Sequence, residues 1–171
     1  RDYREMAETP GMLAEDIGDA LGALEQADEV VEAVYEMPLL AHATLEPMNC
    51  IAQVEGAHCT IWSGTQYQSN DQEVISRFLD IPQENVTIHR PLMGGSFGRR
   101  SSKTADYTVE AVEAAMGESV PVQIIWSREE DIRSGHYRPL FVHKLRGSVD
   151  SSGMPEAWHQ VAVGQSLMQG T

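Results

Sequence analysis

A glycine-rich turn, placed between a strand pattern and a helix pattern, restricts this chain more than any other part of its sequence. The turn reads Met93-Gly94-Gly95-Ser96-Phe97-Gly98-Arg99-Arg100. Residues 86–88 before it are strand-like, and apolar residues recur at helical spacing from Ala105 to Met116 after it. Glycine allows positive φ and close approach of the backbone to a ligand, and a strand–turn–helix unit presents N–H groups to anions. The pattern therefore predicts either an anion-binding turn or an ordinary glycine turn without a ligand.

The same turn carries much of the positive charge of an acidic protein. The net charge is −14, yet four of the 12 Lys and Arg residues fall in an acid-free window between Glu84 and Asp106. They are Arg90, Arg99, Arg100 and Lys103. A solvated basic loop would explain them, but their coincidence with the glycines favours an anionic small molecule as ligand. The overall negative charge argues against a nucleic-acid partner, because affinity for the phosphate backbone rests on clustered cations.

The glycine spacing matches neither of two common nucleotide-binding motifs. A P-loop requires G-x-x-x-x-G-K-[ST] and a dinucleotide-binding turn requires G-x-G-x-x-G, whereas this chain has Gly94-Gly95-x-x-Gly98. By itself, that spacing supports a ligand-binding turn and an ordinary loop equally.

The order of strand and helix patterns predicts an α+β fold with a mixed sheet, two or three packed helices and a C-terminal β-hairpin. Before the hairpin we expect strands over residues 31–37, 50–54, 60–62, 86–88 and 122–126. The last of these is continuously apolar, so it should be buried on both faces. Helices are expected over residues 11–25, 70–79 and 105–116. The hairpin should pair residues 141–149 with 157–163 around an Asp150–Gly153 turn.

The distribution of acidic residues indicates a division of the chain near residue 28. We interpret residues 1–28 as an acidic helical lead-in that could be the end of a neighbouring domain, and residues 29–171 as the domain with the glycine turn. No apolar run approaches the ~20 residues of a membrane-spanning helix. The chain begins with Arg1 and shows no signal peptide, so we expect a processed chain or a segment of a longer protein.

Two cysteines, Cys50 and Cys59, are too few for a disulfide framework. With His42 and His58 they form a candidate metal set, but the spacing matches no standard zinc pattern. We therefore favour two small buried residues on neighbouring strands and predict no metal ligands. The sequence leaves a disulfide open.

Three segments together resemble the molybdenum hydroxylases, the family of xanthine dehydrogenase and aldehyde oxidase. The glycine turn resembles their G-G-G-F-G segment, residues 40–50 resemble H-A-x-x-E-P-x-N-C, and Trp62-Ser63-Gly64-Thr65-Gln66 resembles W-x-x-T-Q. The segments occur in the order of the family, and the match covers residues 28–171. The Arg-Arg after the turn and the Asn-Cys after Glu-Pro look more like the beta subunit of isoquinoline 1-oxidoreductase than like xanthine dehydrogenase.

The resemblance implies that residues 29–171 are the N-terminal part of a molybdopterin-binding domain in the large subunit of an oxidoreductase. That enzyme would use molybdenum on molybdopterin, in its dinucleotide form, to hydroxylate N-heterocycles or aldehydes with water as the oxygen source. It would have an iron–sulfur small subunit as partner, a small-molecule substrate and a periplasmic location. The catalytic glutamate of the family would lie far downstream, so we expect this chain alone to be inactive and without cofactor.

By resemblance, Gln66 would donate a hydrogen bond to an oxo ligand of molybdenum, a role that suits a neutral amide. Otherwise Gln66 is a surface residue in a polar run. The resemblance assigns contacts with the cofactor to Gly94, Gly95, Ser96, Phe97, Gly98, Arg99 and Arg100. Phe97 could equally be a core residue, and the two arginines could be solvated. Ser96 stands where the family usually has a third glycine, so either its φ is ordinary or the turn is distorted.

Two other hypotheses stay open from the sequence. The chain could be a non-catalytic module that binds an anionic small molecule at the glycine turn, or a purely structural or interaction domain. Molybdenum and a pterin nucleotide in the complete protein, with substrate-dependent reduction of a dye, would distinguish the enzyme from both.

Overall fold

The computed structural model describes residues 2–166. Residues 1 and 167–171 lie outside this range. They are the outer ends of the predicted segments 1–28 and 29–171. The described elements, in chain order, are α1 Tyr3–Met6, α2 Ala20–Gln26, β1 Val31–Met37, β2 Asn49–Glu55, β3 His58–Trp62, α3 Gln68–Leu79, β4 Val86–His89, α4 Asp106–Ala115, β5 Val122–Ile125, α5 Arg128–Arg133, β6 Phe141–Val149 and β7 Pro155–Gly164. Short 3-10 helices cover Gln83–Asn85 and Arg99–Ser101. The α+β class is confirmed.

The chain divides into two compact units. Unit 1 comprises Arg1–Leu40 and Arg138–Thr171, and unit 2 comprises Ala41–Tyr137. The residues of the glycine turn, Gln66 and Glu46 all belong to unit 2. The predicted domain boundary near residue 28 is not the boundary between these units, and it stays a prediction.

Unit 1 is built on an antiparallel three-stranded sheet in the order β1-β6-β7. The predicted C-terminal hairpin is confirmed as β6 and β7. Its turn is held by Asp150, whose carboxylate accepts hydrogen bonds from the backbone N–H groups of Ser152 (2.8 Å) and Met154 (3.0 Å). This is the local bonding that makes aspartate a preferred turn residue. Helix α2 packs against β6 and β7.

Unit 2 is built on a mixed four-stranded sheet in the order β4-β3-β2-β5. Strands β3 and β4 run parallel, and the other two pairs are antiparallel. Helices α3 and α4 pack against the sheet because alternate strand residues and one stripe of each helix are apolar. The core side chains include Cys50, Ala52, Cys59, Ile61, Ile75, Tyr107 and Val112, and none of these is more than 2% exposed. Burial of this surface is the main favourable term of folding.

The two cysteines lie where the sequence placed them, on the neighbouring strands β2 and β3. Both are buried and neither forms a disulfide. Burial raises the pKa of Cys50 to about 12 and that of Cys59 to about 11. Because the thiolate is the reactive form, both residues are inert packing groups.

The helix predicted over residues 11–25 is wrong for its first half, since α2 begins only at Ala20. Gly18 has φ +70°, outside the helical region. Asp19 then caps the helix, because its carboxylate accepts from the N–H of Gly22 at 3.0 Å. Leu13 and Ile17, the apolar residues of the predicted first turns, are largely exposed.

The prediction that residues 122–126 are buried on both faces is also wrong. Among the strands that the structure describes, β5 lies at the edge of its sheet and pairs only with β2, and Ile125 is 62% exposed. An apolar run of this length fits an edge strand as well as a central one, because the run does not report the number of neighbouring strands. Trp126 after the strand is anchored, since its N–H donates to Met48 O at 2.9 Å and its indole N–H donates to Glu110 Oε2 at 2.7 Å.

Candidate cofactor-binding site

The sheet of unit 2 brings the three recognisable segments to one of its ends. Strands β3 and β4 are parallel, so the chain leaves both at the same end, toward Gln66 and toward the glycine turn. Strand β2 is antiparallel to β3, so the chain enters β2 at that same end, after Glu46. Loops at the same end of a sheet can meet even when they are far apart in sequence.

The side chain of Arg100 joins the glycine turn to the segment before β2. Its guanidinium is 0% exposed and lies 6.0 Å from the centre of the Tyr107 ring. Its Nε donates to Gly95 O at 3.1 Å, and its Nη2 donates to Glu46 O at 3.2 Å. The carboxylate of Glu46 lies 3.4 Å from the same Nη2. A buried cation with these partners holds the turn against the preceding segment.

The backbone of Arg100 joins the turn to the segment after β3. Its carbonyl oxygen accepts from the N–H of Gln66 at 3.0 Å. Its own N–H donates to Ser96 Oγ at 3.0 Å. Arg100 therefore contacts all three segments, and sequence reasoning, which assigned it to the cofactor or to solvent, missed this structural role.

Glu46 completes the junction from the other side. Its carboxylate accepts from Asn49 Nδ2 at 2.5 Å and from the N–H of Gly94. Partial burial alone would raise the pKa of Glu46, but these hydrogen bonds and the charge of Arg100 outweigh it and lower the pKa below 4.5. A Cβ on Gly94 would lie 2.6 Å from the Cβ of Glu46, so glycine is required there.

The turn itself has an unusual backbone. Gly95 and Gly98 have φ near +99° and +98°, and Phe97 has φ +53°, which is costly for a large L-residue. Ser96 is not in the left-handed region, so its ordinary φ accommodates the serine without distortion. Phe97 is 71% exposed, which excludes the core role.

The turn leaves a run of backbone donors unpaired. Within the described part of the chain, no group accepts a hydrogen bond from the N–H of Gly95, Ser96, Phe97 or Gly98. A Cβ on Gly98 would meet open space within 4 Å. Successive N–H groups in a turn that includes left-handed residues form a concavity that binds anionic or oxygen-rich groups.

Gln66 lies next to the turn and is exposed. Its Oε1 accepts a hydrogen bond from Ser96 Oγ. No acceptor for its Nε2 exists among the residues that the structure describes. The structure thus brings Gln66 and the glycine turn together, as the resemblance requires, and leaves the amide donor available.

Arg99 is also buried rather than solvated. It forms a bidentate pair with Asp106, at 2.6 and 3.1 Å, and its side chain is 2% exposed. Its guanidinium stacks on Trp126, 5.3 Å from the ring centre. A Cβ on Gly135 would lie 2.5 Å from Arg99 Nη2, so this glycine makes room for the cation. Burial would raise the pKa of Asp106, but hydrogen bonds and charge from Arg99 outweigh burial and lower it below 3.8.

Asp71 is a buried acid beneath the site that the sequence did not reveal. It lies in the first turn of α3 and is 3% exposed. Burial raises the pKa of Asp71 to about 6, and hydrogen bonds from Thr65 and Asn70 offset burial only in part. Thr65 is itself fully buried and accepts from the N–H of Tyr67 at 3.0 Å. No periodic pattern marks a buried carboxylate in a polar run, so only the fold could show it.

Over residues 2–166, no three His, Cys, Asp or Glu side chains come together to hold a metal ion. Likewise, none of the helices described is both long and apolar enough to cross a membrane.

A glycine turn with unpaired backbone donors at residues 95–98 can bind a ligand through the backbone. Comparison with known sequences identifies the family, since residues 6–165 match the molybdopterin cofactor-binding domain family. The chain therefore belongs to this family. The resemblance found in the three segments is confirmed.

The similar proteins include subunits of molybdenum enzymes. The chain is 30% identical over 137 residues to the aldehyde oxidoreductase molybdenum-binding subunit of Escherichia coli K12, covering 80% of this chain and 19% of the relative. It is 30% identical over 112 residues to isoquinoline 1-oxidoreductase subunit beta of Brevundimonas diminuta, covering 65% of this chain and 14% of the relative. The chain thus spans about a fifth, or less, of the length of these curated relatives.

Solved structures support the fold. Quinoline 2-oxidoreductase from Pseudomonas putida 86 superposes with a TM-score of 0.63 at 18% identity, covering 82% of this chain and 18% of that one. The aldehyde oxidoreductase from Desulfovibrio gigas gives a TM-score of 0.64 at 19% identity, covering 86% of this chain and 16% of that one.

We predict that Arg100→Met lowers the free energy of unfolding by about 3–5 kcal/mol. Methionine fills much of the volume but cannot donate to Gly95 and Glu46, and it leaves the Glu46 carboxylate without its cation. Urea denaturation of the chain and the variant measures the difference.

The matched control is Arg77→Met on α3. Arg77 pairs with Glu73 at the surface, where its side chain is 76% exposed, so the same substitution should change stability by less than about 0.5 kcal/mol. Equal effects of the two substitutions would show that the buried contacts of Arg100 are not special.

We predict that Asp71→Asn changes how stability depends on pH. Because the pKa of Asp71 rises from 3.8 to about 6 on folding, the folded chain retains a proton that the unfolded chain releases. The contribution of Asp71 to the free energy of unfolding therefore falls as the pH rises from 3.8 to about 6. Above that range the ionised carboxylate destabilises the folded chain by on the order of 3 kcal/mol. Between about pH 4 and pH 7, the free energy of unfolding of Asp71→Asn should therefore rise by about 3 kcal/mol relative to that of the original chain.

The measurement is urea denaturation at several pH values, with the exposed Glu84→Gln as the control. Parallel pH profiles for the original chain and Asp71→Asn would contradict the buried, proton-retaining carboxylate.

Proposed function

We propose that this chain is a segment of the molybdenum-cofactor-binding subunit of an oxidoreductase that hydroxylates N-heterocycles or aldehydes with water as oxygen source. The relatives named above include a molybdenum-binding subunit of an aldehyde oxidoreductase and a subunit of isoquinoline 1-oxidoreductase. The family match over residues 6–165 supports the binding role of the domain.

The observation that carries the proposal is that two sets of hydrogen-bond donors without acceptors lie side by side. The N–H groups of residues 95–98 and the Nε2 of Gln66 lack acceptors in the described range, and the bonds of Arg100 and Ser96 hold the two groups of donors together. A ligand rich in oxygen and sulfur, such as a pterin-bound molybdenum centre, fits this set of neutral donors.

The bound molybdenum centre would supply the oxygen transfer and the two-electron oxidation. The residues of this chain would bind and orient it. Gln66 Nε2 would donate to an oxygen ligand of the metal without adding charge. The N–H groups of residues 95–98 would donate to the cofactor, and the exposed ring of Phe97 would pack against it and exclude water.

Arg99 and Arg100 have an indirect part in this proposal. Their charges are engaged by Asp106 and Glu46, so they would position the turn for the cofactor. This also weakens the alternative of a non-catalytic module for an anionic small molecule, because Arg99 and Arg100, two of its four proposed cations, are paired with acids. The comparisons do not favour that alternative either.

Several finer features belong to the proposal. The pterin would be in its dinucleotide form, electrons would leave through an iron–sulfur small subunit, and the enzyme would be periplasmic. Names among the relatives, such as a molybdenum-binding subunit, support an enzyme of several subunits.

We expect the complete protein to contain molybdenum and a pterin nucleotide, and to reduce a dye when an aldehyde or an N-heterocycle is added. In that protein, Gln66→Ala should slow the chemical step about a hundredfold, because one lost donor at a site of developing charge costs on the order of 3 kcal/mol. Gln66→Glu should be at least as harmful, since it replaces a donor with an anion. Steady-state turnover at matched molybdenum content measures both.

Gln68→Ala is the matched control, since Gln68 is exposed two residues later. Unchanged turnover of Gln66→Ala would make Gln66 an ordinary surface residue. Absence of molybdenum and pterin from the complete protein would overturn the proposed function itself.

A further inference from the structure

Ser96 occupies a central point of the glycine turn. The residue is only 6% exposed, and its side chain contacts the backbone of Arg100 and the side-chain amide of Gln66. Its Oγ accepts from the N–H of Arg100 at 3.0 Å, and it donates to Gln66 Oε1. The serine hydroxyl thus links the backbone of the turn to the side chain beside it.

The donor and acceptor roles in this chain of bonds are fixed by chemistry. The backbone N–H of Arg100 can only donate, so Ser96 Oγ must accept from it. The single hydroxyl proton of Ser96 then needs an acceptor, and Gln66 Oε1 supplies one. If the amide of Gln66 were turned over, its Nε2 would face Ser96 Oγ and the buried hydroxyl proton would have no acceptor.

When a hydrogen bond fixes the position of the oxygen of a side-chain amide, it also fixes the position of the nitrogen. With Oε1 held by Ser96, the Nε2 of Gln66 is the end left for a ligand, and no acceptor for it lies in the part of the chain described. Turned over, Gln66 would offer the ligand a carbonyl oxygen in place of a donor. An oxygen ligand of a metal would be repelled by that carbonyl.

We propose that Ser96 is a positioning residue that selects the donating orientation of the Gln66 amide. This inference rests on the proposed function, because it assumes that Gln66 faces the cofactor. Ser96 acts through Gln66 and need not touch the cofactor with its hydroxyl. Its ordinary φ means that alanine can replace it without backbone strain, which makes the hydroxyl separable from the fold of the turn.

The test is a double-mutant cycle in the complete holoenzyme at matched molybdenum content, with Ser96→Ala, Gln66→Ala and the double variant. We expect Ser96→Ala to lower kcat about tenfold, the loss that follows if the released amide spends about nine-tenths of its time in the accepting orientation. In the Gln66→Ala background, the loss of the hydroxyl should change kcat by less than about twofold. Ser102→Ala is the control, because within residues 2–166 the hydroxyl of Ser102 has one hydrogen-bond partner, Thr104 Oγ1 at 2.9 Å.

A second readout does not depend on turnover. The electron paramagnetic resonance spectrum of the partly reduced Mo(V) holoenzyme is sensitive to hydrogen bonds on the metal's ligands. Ser96→Ala should shift this spectrum in the same direction as Gln66→Ala, and the double variant should match Gln66→Ala alone. A role of Ser96 only in holding the turn would instead give additive effects in both readouts.

The outcomes separate this inference from the proposed function. Normal kcat and an unchanged spectrum for Gln66→Ala would overturn the role of Gln66 and, with it, that of Ser96. An impaired Gln66→Ala beside a normal Ser96→Ala, or additive losses, would overturn the role of Ser96 alone.

Discussion

The buried guanidinium of Arg100 is the interaction on which the site depends. A cation that is 0% exposed needs partners, because an unpaired buried charge is very unfavourable. The guanidinium of Arg100 donates hydrogen bonds to the carbonyl oxygens of Gly95 and Glu46. Gly95 and Glu46 are far from each other in sequence but meet at one end of the sheet. Its backbone binds Gln66 and Ser96 in addition. The loops that follow β3 and β4 and the loop that precedes β2 therefore have one common point of attachment.

Ion pairing explains two of the four cations in the basic window of this acidic protein, Arg99 and Arg100. Arg99 pairs with Asp106 and lowers the pKa of that acid despite burial. Arg100 pairs with Glu46, whose pKa is lowered by hydrogen bonds from Asn49 and Gly94 and, to a smaller extent, by the charge of Arg100. The unpaired donors that the turn and Gln66 present are neutral, namely backbone N–H groups and one side-chain amide. Preorganised neutral donors stabilise developing negative charge without the desolvation of a free cation.

The sequence predicted the elements better than it predicted their contacts. Alternating residues located β1 and the hairpin, strand-like segments on either side of residues 55–58 located β2 and β3, and composition and spacing located the glycine turn between β4 and α4. The predicted helix over residues 11–25 was half wrong, because Gly18 and the Asp19 cap override apolar periodicity. The burial of β5 was wrong because a run of apolar residues does not say how many strands flank it.

The candidate site shows the same limit. Three motifs indicated that Gln66 and the glycine turn belong together, and the fold brings them into contact through Ser96. The partners of Arg100 could not be predicted, since Glu46 lies 54 residues away and pairing across that distance depends on the sheet order. The buried Asp71 was missed for the same reason.

A crystal structure of the complete protein with its cofactor would test the account most directly. We expect Gln66 Nε2 at about 3 Å from an oxygen ligand of molybdenum, a normal hydrogen-bond distance. Arg100 should keep its bonds to Gly95 and Glu46, and residues 95–98 should line the cofactor. A cofactor bound away from the glycine turn, or a Gln66 amide that faces solvent beside a bound cofactor, would contradict the account.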